Sequence, residues 1–265
     1  MADSGTRTTL GRAVSSMSLS LPEAIGIGRS ILTYYGIPFR ARRLQRFYAQ
    51  FISPGDLCFD LGAHVGNRTR AMLRLGARVV AVEPSPVFAR LLRRWNGAQP
   101  RVTILEQAVG AFPGESPLLV SRRTPTVTTL SADWMRAVRR DRAFARVSWD
   151  HVERVQVTTL DRLIQQFGEP AFCKIDVEGS ELAVLNGLTR PLRALSFEYI
   201  PATIEVAVGC IERLAALGRY AFNWTVAEST RLRRVDWCDG GEAARRLGAL
   251  PSGSRSGDVY ARLVV

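Results

Sequence analysis

The sequence predicts an α/β fold, a mostly parallel central sheet with helices on both faces. Three observations carry that prediction. Short apolar runs alternate with helical stretches from Leu57 onward, the rhythm of a parallel sheet covered on both sides. The first run closes on Asp60-Leu61-Gly62-Ala63-His64-Val65-Gly66, a strand, a tight turn and a helix start in which glycine lets backbone approach a ligand closely. Acidic residues then stand at the C-terminal ends of several runs, where open α/β sheets bind ligands.

The elements follow in order. Met1 to Ser20 is rich in Ser, Thr and Arg, lacks an apolar signal core, and reads as a flexible arm over 1–20. Pro22–Tyr35 and Phe39–Phe51 have helical apolar spacing and predict a helical cover over 21–52. Ser53-Pro54-Gly55-Asp56 is a turn that opens the main domain, 53–265. Strand Leu57–Leu61, helix Asn67–Leu75, strand Arg78–Val82, helix Val87–Trp95 and strand Val102–Gln107 come next. Ala111–Val157 breaks the alternation. Pro117–Val120 and Val127–Leu130 read there as short paired strands, and Trp134–Val147 as an Arg-rich helix. This insertion, 111–157, is the expected substrate lid. Val152–Thr158 is strand-like and Leu160–Phe167 helical. Strand Ala171–Val177, helix Ser180–Gly187, strand Ala194–Tyr199 and helix Ile204–Leu217 restore the rhythm. Tyr220–Val226 and Val259–Val265 end the chain as an expected antiparallel pair.

Composition narrows the function. At 265 residues and 46% hydrophobic, the chain can bury the core of one α/β domain with additions. No apolar run is long enough to span a bilayer. The net charge is +12, and Lys174 is the only lysine. The arginines are scattered along the chain, which argues against a nucleic-acid partner. Cys58, Cys173, Cys210 and Cys238 form no CxxC motif, so the thiols read as reduced, in keeping with a cytoplasmic location. With only His64 and His151, a His/Cys metal site has no support.

The motifs point to a nucleoside-bearing ligand without phosphate. The dinucleotide fingerprint G-x-G-x-x-G is absent from the first turn, and Asp60 stands where it would repel phosphate. A cationic ligand suits the loop better. S-adenosylmethionine has an adenosine, a sulfonium and no phosphate. Asp60, Gly62, His64, Gly66 and Asn67 form the expected loop contacts. Glu83, ahead of Pro84, is placed to bind a ribose diol, with Gln107 and Ala108 against the base. A second signal is Lys174-Ile175-Asp176-Val177-Glu178-Gly179-Ser180-Glu181. Ser180 and Glu181 read as the start of a helix. Asp176 and Glu178, closing a buried strand, are costly there unless paired or used, and Lys174 is the available partner.

These strings, with Val155–Leu163, resemble the FkbM family of S-adenosylmethionine-dependent methyltransferases, over about Phe51 to Tyr199. The resemblance implies a Rossmann-like class I methyltransferase fold and O-methylation of a free hydroxyl on a small-molecule acceptor. Sugars or polyketides of natural products and glycoconjugates are the implied class. His64 departs from the Asn that the family often carries there. It is read as a hydrogen-bonding loop residue or as a base. An alcohol needs a base to take its proton during attack, and Asp176, Glu178, His64 and His151 are the available groups, the first two favoured by position. Alternatively a divalent ion such as Mg2+, held by Asp176, Glu178 and Glu198, polarises the hydroxyl. The competing readings are an RNA-modifying methyltransferase, motivated by the charge, and a non-catalytic cofactor-binding protein. A homodimer is compatible with the sequence.

Overall fold

The computed structural model of the chain describes residues 20–37, 39–141 and 144–264. The expected arm lies outside these residues, apart from Ser20.

Seven strands build the main sheet, in the order β3-β2-β1-β7-β8-β10-β9. They are β1 (Leu57–Leu61), β2 (Arg78–Val82), β3 (Val102–Leu105), β7 (Phe172–Ile175), β8 (Ala194–Tyr199), β9 (Tyr220–Trp224) and β10 (Gly257–Leu263). The first five are mutually parallel, while β10 runs antiparallel to both β8 and β9. The chain starts in the middle of the sheet, builds outward to β3, then returns to β7 beside β1. That reversal is the topological switch point, where such sheets bind ligands.

The strand period of two divides the core. Leu57, Phe59 and Leu61 of β1 face one layer, with helices α6 (Leu160–Phe167), α7 (Glu181–Asn186), α8 (Ile204–Leu217) and α9 (Gly240–Gly248). Cys58 and Val79 face the opposite layer, with α2 (Arg40–Tyr48) and α3 (Asn67–Arg74). Helix α4 (Pro86–Asn96) brings Leu92 against Ala81. All four cysteines are free and buried. The mostly parallel sheet, with helices on both faces and helices at the N-terminus, is the fold expected. No helix of the described residues is long and apolar enough to cross a membrane.

The insertion departs from expectation. Strands β4 (Ala108–Val109), β5 (Gly114–Val120) and β6 (His151–Thr158) form a separate three-stranded sheet, with β5 and β6 antiparallel along Gly114–Val120. Val127–Leu130 is not a strand. Pro125 starts a 3-10 turn, and the segment meets β5 through the reciprocal bridge of Leu119 with Thr129 and through Leu130, which packs on the cluster holding Leu118 and Val120. The helix expected to reach Val147 stops at Val138 as α5 (Ala132–Val138). Beyond it the chain folds back, so that Phe144, Val147 and Trp149 pack with Trp134 and Val138. Helix α1 (Leu21–Tyr35) starts at a capping box between Ser20 and Glu23.

Candidate functional site

The turn after β1 is built around Gly62. Its φ is +79°, and a Cβ there would lie 1.8 Å from the carbonyl oxygen of Asp176. Only glycine lets this turn pass directly over the end of β7. The amides of Gly62 and Ala63 both donate to the Val82 carbonyl, at 2.9 and 3.1 Å, tying the turn to β2. The next amide, of His64, donates to Glu83 Oε2 at 2.8 Å, and the Ser85 amide donates to Glu83 Oε1 at 2.9 Å. Two backbone donors therefore aim the Glu83 carboxyl at the switch point. Burial pushes its pKa up to about 7, against the effect of these two hydrogen bonds.

Gly62, His64, Glu83, Pro84, Gln107, Ala108, Asp176 and Glu178 line one cavity, between apolar walls that include Val82, Phe88 and Leu118. Asp60, Gly66 and Asn67 do not line it. The Asp60 carboxyl is turned away, accepting a 2.5 Å hydrogen bond from Thr69 Oγ1 that ties β1 to α3. Gly66, at φ +75°, begins α3 beneath Leu92, whose Cδ2 a Cβ would meet at 2.6 Å. Asn67 is the first residue of that helix.

His64 has an apolar environment. Its ring lies 4.2 Å from the Phe88 ring and 5.9 Å from that of Tyr34, and Nε2 is 3.4 Å from Ser30 Oγ. Desolvation lowers its pKa to about 3, so the ring is neutral at physiological pH and a weak proton acceptor. His151, the other histidine, opens β6 on the far sheet, 3.8 Å from Glu153.

At the end of β7, Lys174 is wholly buried and its Nζ is shared between Asp258 at 2.9 Å and Asp176 at 3.3 Å. Asp258, on β10, also lies 3.7 Å from Arg68, which pairs with Glu228 at 3.2 Å. Lys174 thus partners Asp176, as the sequence allows, and among the described residues no ion pair reaches Glu178. Burial raises the pKa of Asp176 against the pull of Lys174. Burial and the nearby Asp176 carboxylate raise that of Glu178 well above the carboxylate range.

The loop after β7 is strained. Glu178 has φ +51°, and its carbonyl accepts a 2.6 Å hydrogen bond from Thr129 Oγ1. Gly179 seats the Trp134 ring, which a Cβ would meet at 2.1 Å. Ser180 does not cap α7 with its side chain. Glu181 instead accepts from the amides of Val177 and Gly179, at 3.1 and 3.3 Å. Two other strand-end residues serve structure. Glu106 pairs with Arg93 at 2.6 Å on the surface, and buried Asn223 holds the backbone of Arg234.

A second cavity, of about 610 Å3, adjoins the first. Tyr34, Pro125, Thr126, Asp176 and Glu178 line both. Sequence reasoning missed Tyr34, Arg68 and Asp258, because only the tertiary fold brings them here. Of the insertion's arginines, Arg123 lines the larger cavity. Others hold the insertion together. Arg122 pairs with Asp150 at 3.0 Å, Arg139 stacks over Trp149 at 5.2 Å, and Trp149 Nε1 donates to the Val127 carbonyl at 2.8 Å.

A sheet of this strand order, its cavities at the switch point, belongs to the Rossmann-like methyltransferases that use S-adenosylmethionine. The particular family is FkbM: the Methyltransferase FkbM domain matches residues 60–208, and the chain belongs to it. The chain is also 32% identical, over 100 residues, to the ribosomal RNA small subunit methyltransferase A of Phenylobacterium zucineum, a match spanning 38% of this chain and 33% of that protein. It thus covers about a third of that curated relative. Among solved structures, the O-methyltransferase from Bacillus cereus in complex with SAH is similar at 13% identity and TM-score 0.48, covering 95% of each chain. The precorrin-6y C5,15-methyltransferase from Geobacter metallireducens is similar at 11% identity and TM-score 0.44, covering 85% of this chain and 87% of that one.

Proposed function

We propose that this methyltransferase acts on a hydroxyl of a small molecule, in the class of sugars and polyketides of natural products or glycoconjugates. The observation that carries the reading is the pair of adjoining cavities with Asp176 and Glu178 in the wall of both. The larger one has the size of a small-molecule site.

The residues of the first cavity fit S-adenosylmethionine. Glu83, its carboxyl oriented by two amides, has lone pairs left to accept from the ribose hydroxyls. Gln107 offers a polar edge to the base between the apolar walls of Pro84 and Phe88. Bound there, the cofactor supplies an activated methyl group. The protein's part is to align the acceptor, exclude water and take the hydroxyl proton. We assign that proton to Asp176. Lys174 offsets part of its burial, whereas Glu178 is raised further by Asp176 itself. His64, neutral in its apolar niche, forms part of the wall.

Titration calorimetry with S-adenosylhomocysteine on wild type and Glu83→Ala tests the cofactor site. Methyl transfer from labelled cofactor to a panel of glycosides and polyketides tests the acceptor class. A second reading, an RNA acceptor, draws on the +12 charge and the relative that acts on ribosomal RNA. Transfer to total RNA and to no glycoside or polyketide would establish it instead.

A further inference from the structure

We infer that the inner end of the larger cavity is a divalent-cation site formed by Asp176, Glu178 and Glu198, selective for a hard, oxygen-preferring ion of the Mg2+ or Mn2+ kind. The inference rests on the cavity assignment above and adds a metal to it. Asp176 and Glu178 lie on the loop that leaves β7, and Glu198 lies on the adjacent parallel strand β8. Each offers an oxygen, and the three oxygens lie within 4.8 Å of one another. Oxygens on opposite sides of an ion with bonds of about 2.1–2.4 Å stand roughly 4.2–4.8 Å apart, so the cluster needs only small side-chain adjustments to close on an ion.

A second observation is independent of that clustering. Glu198 Oε2 is shut off from solvent and has no hydrogen-bond partner among the described residues. A buried carboxylate oxygen without a donor is costly, and an ion removes the cost. The local charge points the same way. Lys174 is the one cation in an ion pair with any of the three acids among the described residues, and it is shared with Asp258. Position gives the ion a purpose. Asp176 and Glu178 line both cavities and Glu198 the larger one, so an ion here would face the acceptor and weaken the O–H bond of a coordinated hydroxyl.

The test is Mn2+ binding to the full chain loaded with S-adenosylhomocysteine, followed by electron paramagnetic resonance, with Mg2+ as competitor. Glu198→Gln is the main variant and Glu178→Gln the second, should the first fail to fold. Glu115→Gln, on the exposed edge of β5, controls for diffuse surface binding. Saturable Mn2+ binding displaced by Mg2+, weakened at least roughly tenfold by the cluster variant and unchanged in the control, is expected. Absence of saturable binding, or equal binding in the cluster variant, overturns the site. In that case intact S-adenosylhomocysteine binding leaves the methyltransferase reading standing.

Discussion

Lys174 and Asp258, 84 residues apart in the chain, meet at 2.9 Å inside the protein. The pair joins β7 to β10 with Lys174 wholly buried and Asp258 largely so, and the Tyr260 hydroxyl donates to the other Asp258 oxygen at 3.4 Å. Removing either charge leaves the other buried with only a longer contact, Lys174 to Asp176 at 3.3 Å or Asp258 to Arg68 at 3.7 Å. Lys174→Met and Asp258→Asn are each expected to cost about 3–5 kcal/mol of unfolding free energy in urea titrations. The double variant is expected to cost less than the two singles summed, because the contact between the two side chains is lost only once.

Gly62→Ala should be among the most damaging small substitutions. It combines a positive φ with a Cβ driven into the Asp176 carbonyl, and neither backbone has a flexible end that can yield. A loss of about 2–4 kcal/mol is expected from melting curves, together with loss of S-adenosylhomocysteine binding.

Glu178 is predicted to trade stability for function. Its left-handed backbone and cation-poor carboxyl both work against folding. Glu178→Asn relieves both, since Asn tolerates that conformation. The variant should unfold at least about 1 kcal/mol less readily while losing methyl transfer, measured by melting curves beside an activity assay.

Glu83 gives a pH signature. Its carboxyl titrates near 4.5 when unfolded and near 7 when folded. The folded state keeps a proton that the unfolded state sheds in that window. Its contribution to stability is therefore full below pH 4.5 and lost by about pH 7, a change of about 3 kcal/mol. Relative to wild type, Glu83→Gln should gain stability across the same window. Affinity of the wild type for S-adenosylhomocysteine should rise as pH passes 7, because the ionised carboxylate is the better acceptor for the ribose hydroxyls.

His64 should remain neutral through the physiological range. The unfolded chain takes up a proton near pH 6.5 that the folded ring refuses until about pH 3, so this residue lowers stability as pH falls below 6.5. Its imidazole NMR signals should show no titration between pH 5 and 8. A midpoint near 6.5 in the native protein would refute the buried, neutral ring.

The central strands were legible because they are buried on both faces and read as apolar runs. The acids closing them were legible because charge at such a position needs a reason. Other features depend on contacts distant in sequence. Helix α9 begins Gly-Gly, which hides it from a propensity reading, yet the Asp239 side chain caps it through the Glu242 amide at 2.8 Å. The turn of Asp60 toward Thr69 depends on how α3 docks, and the fold-back after α5 depends on Phe144, Val147 and Trp149 finding Trp134 and Val138. Tyr34 reaches both cavities only because α1 folds across the switch point.

The stretch that matches the FkbM family ends at residue 208, within α8, whereas Asp258 and strands β9 and β10 come later. The recognisable portion is therefore not a unit that can be cut out and expressed. A fragment ending there would expose the flank of β8 and leave Lys174 without its nearer counter-ion. The later, less recognisable fifth of the chain supplies the electrical ground for the motif that identifies it.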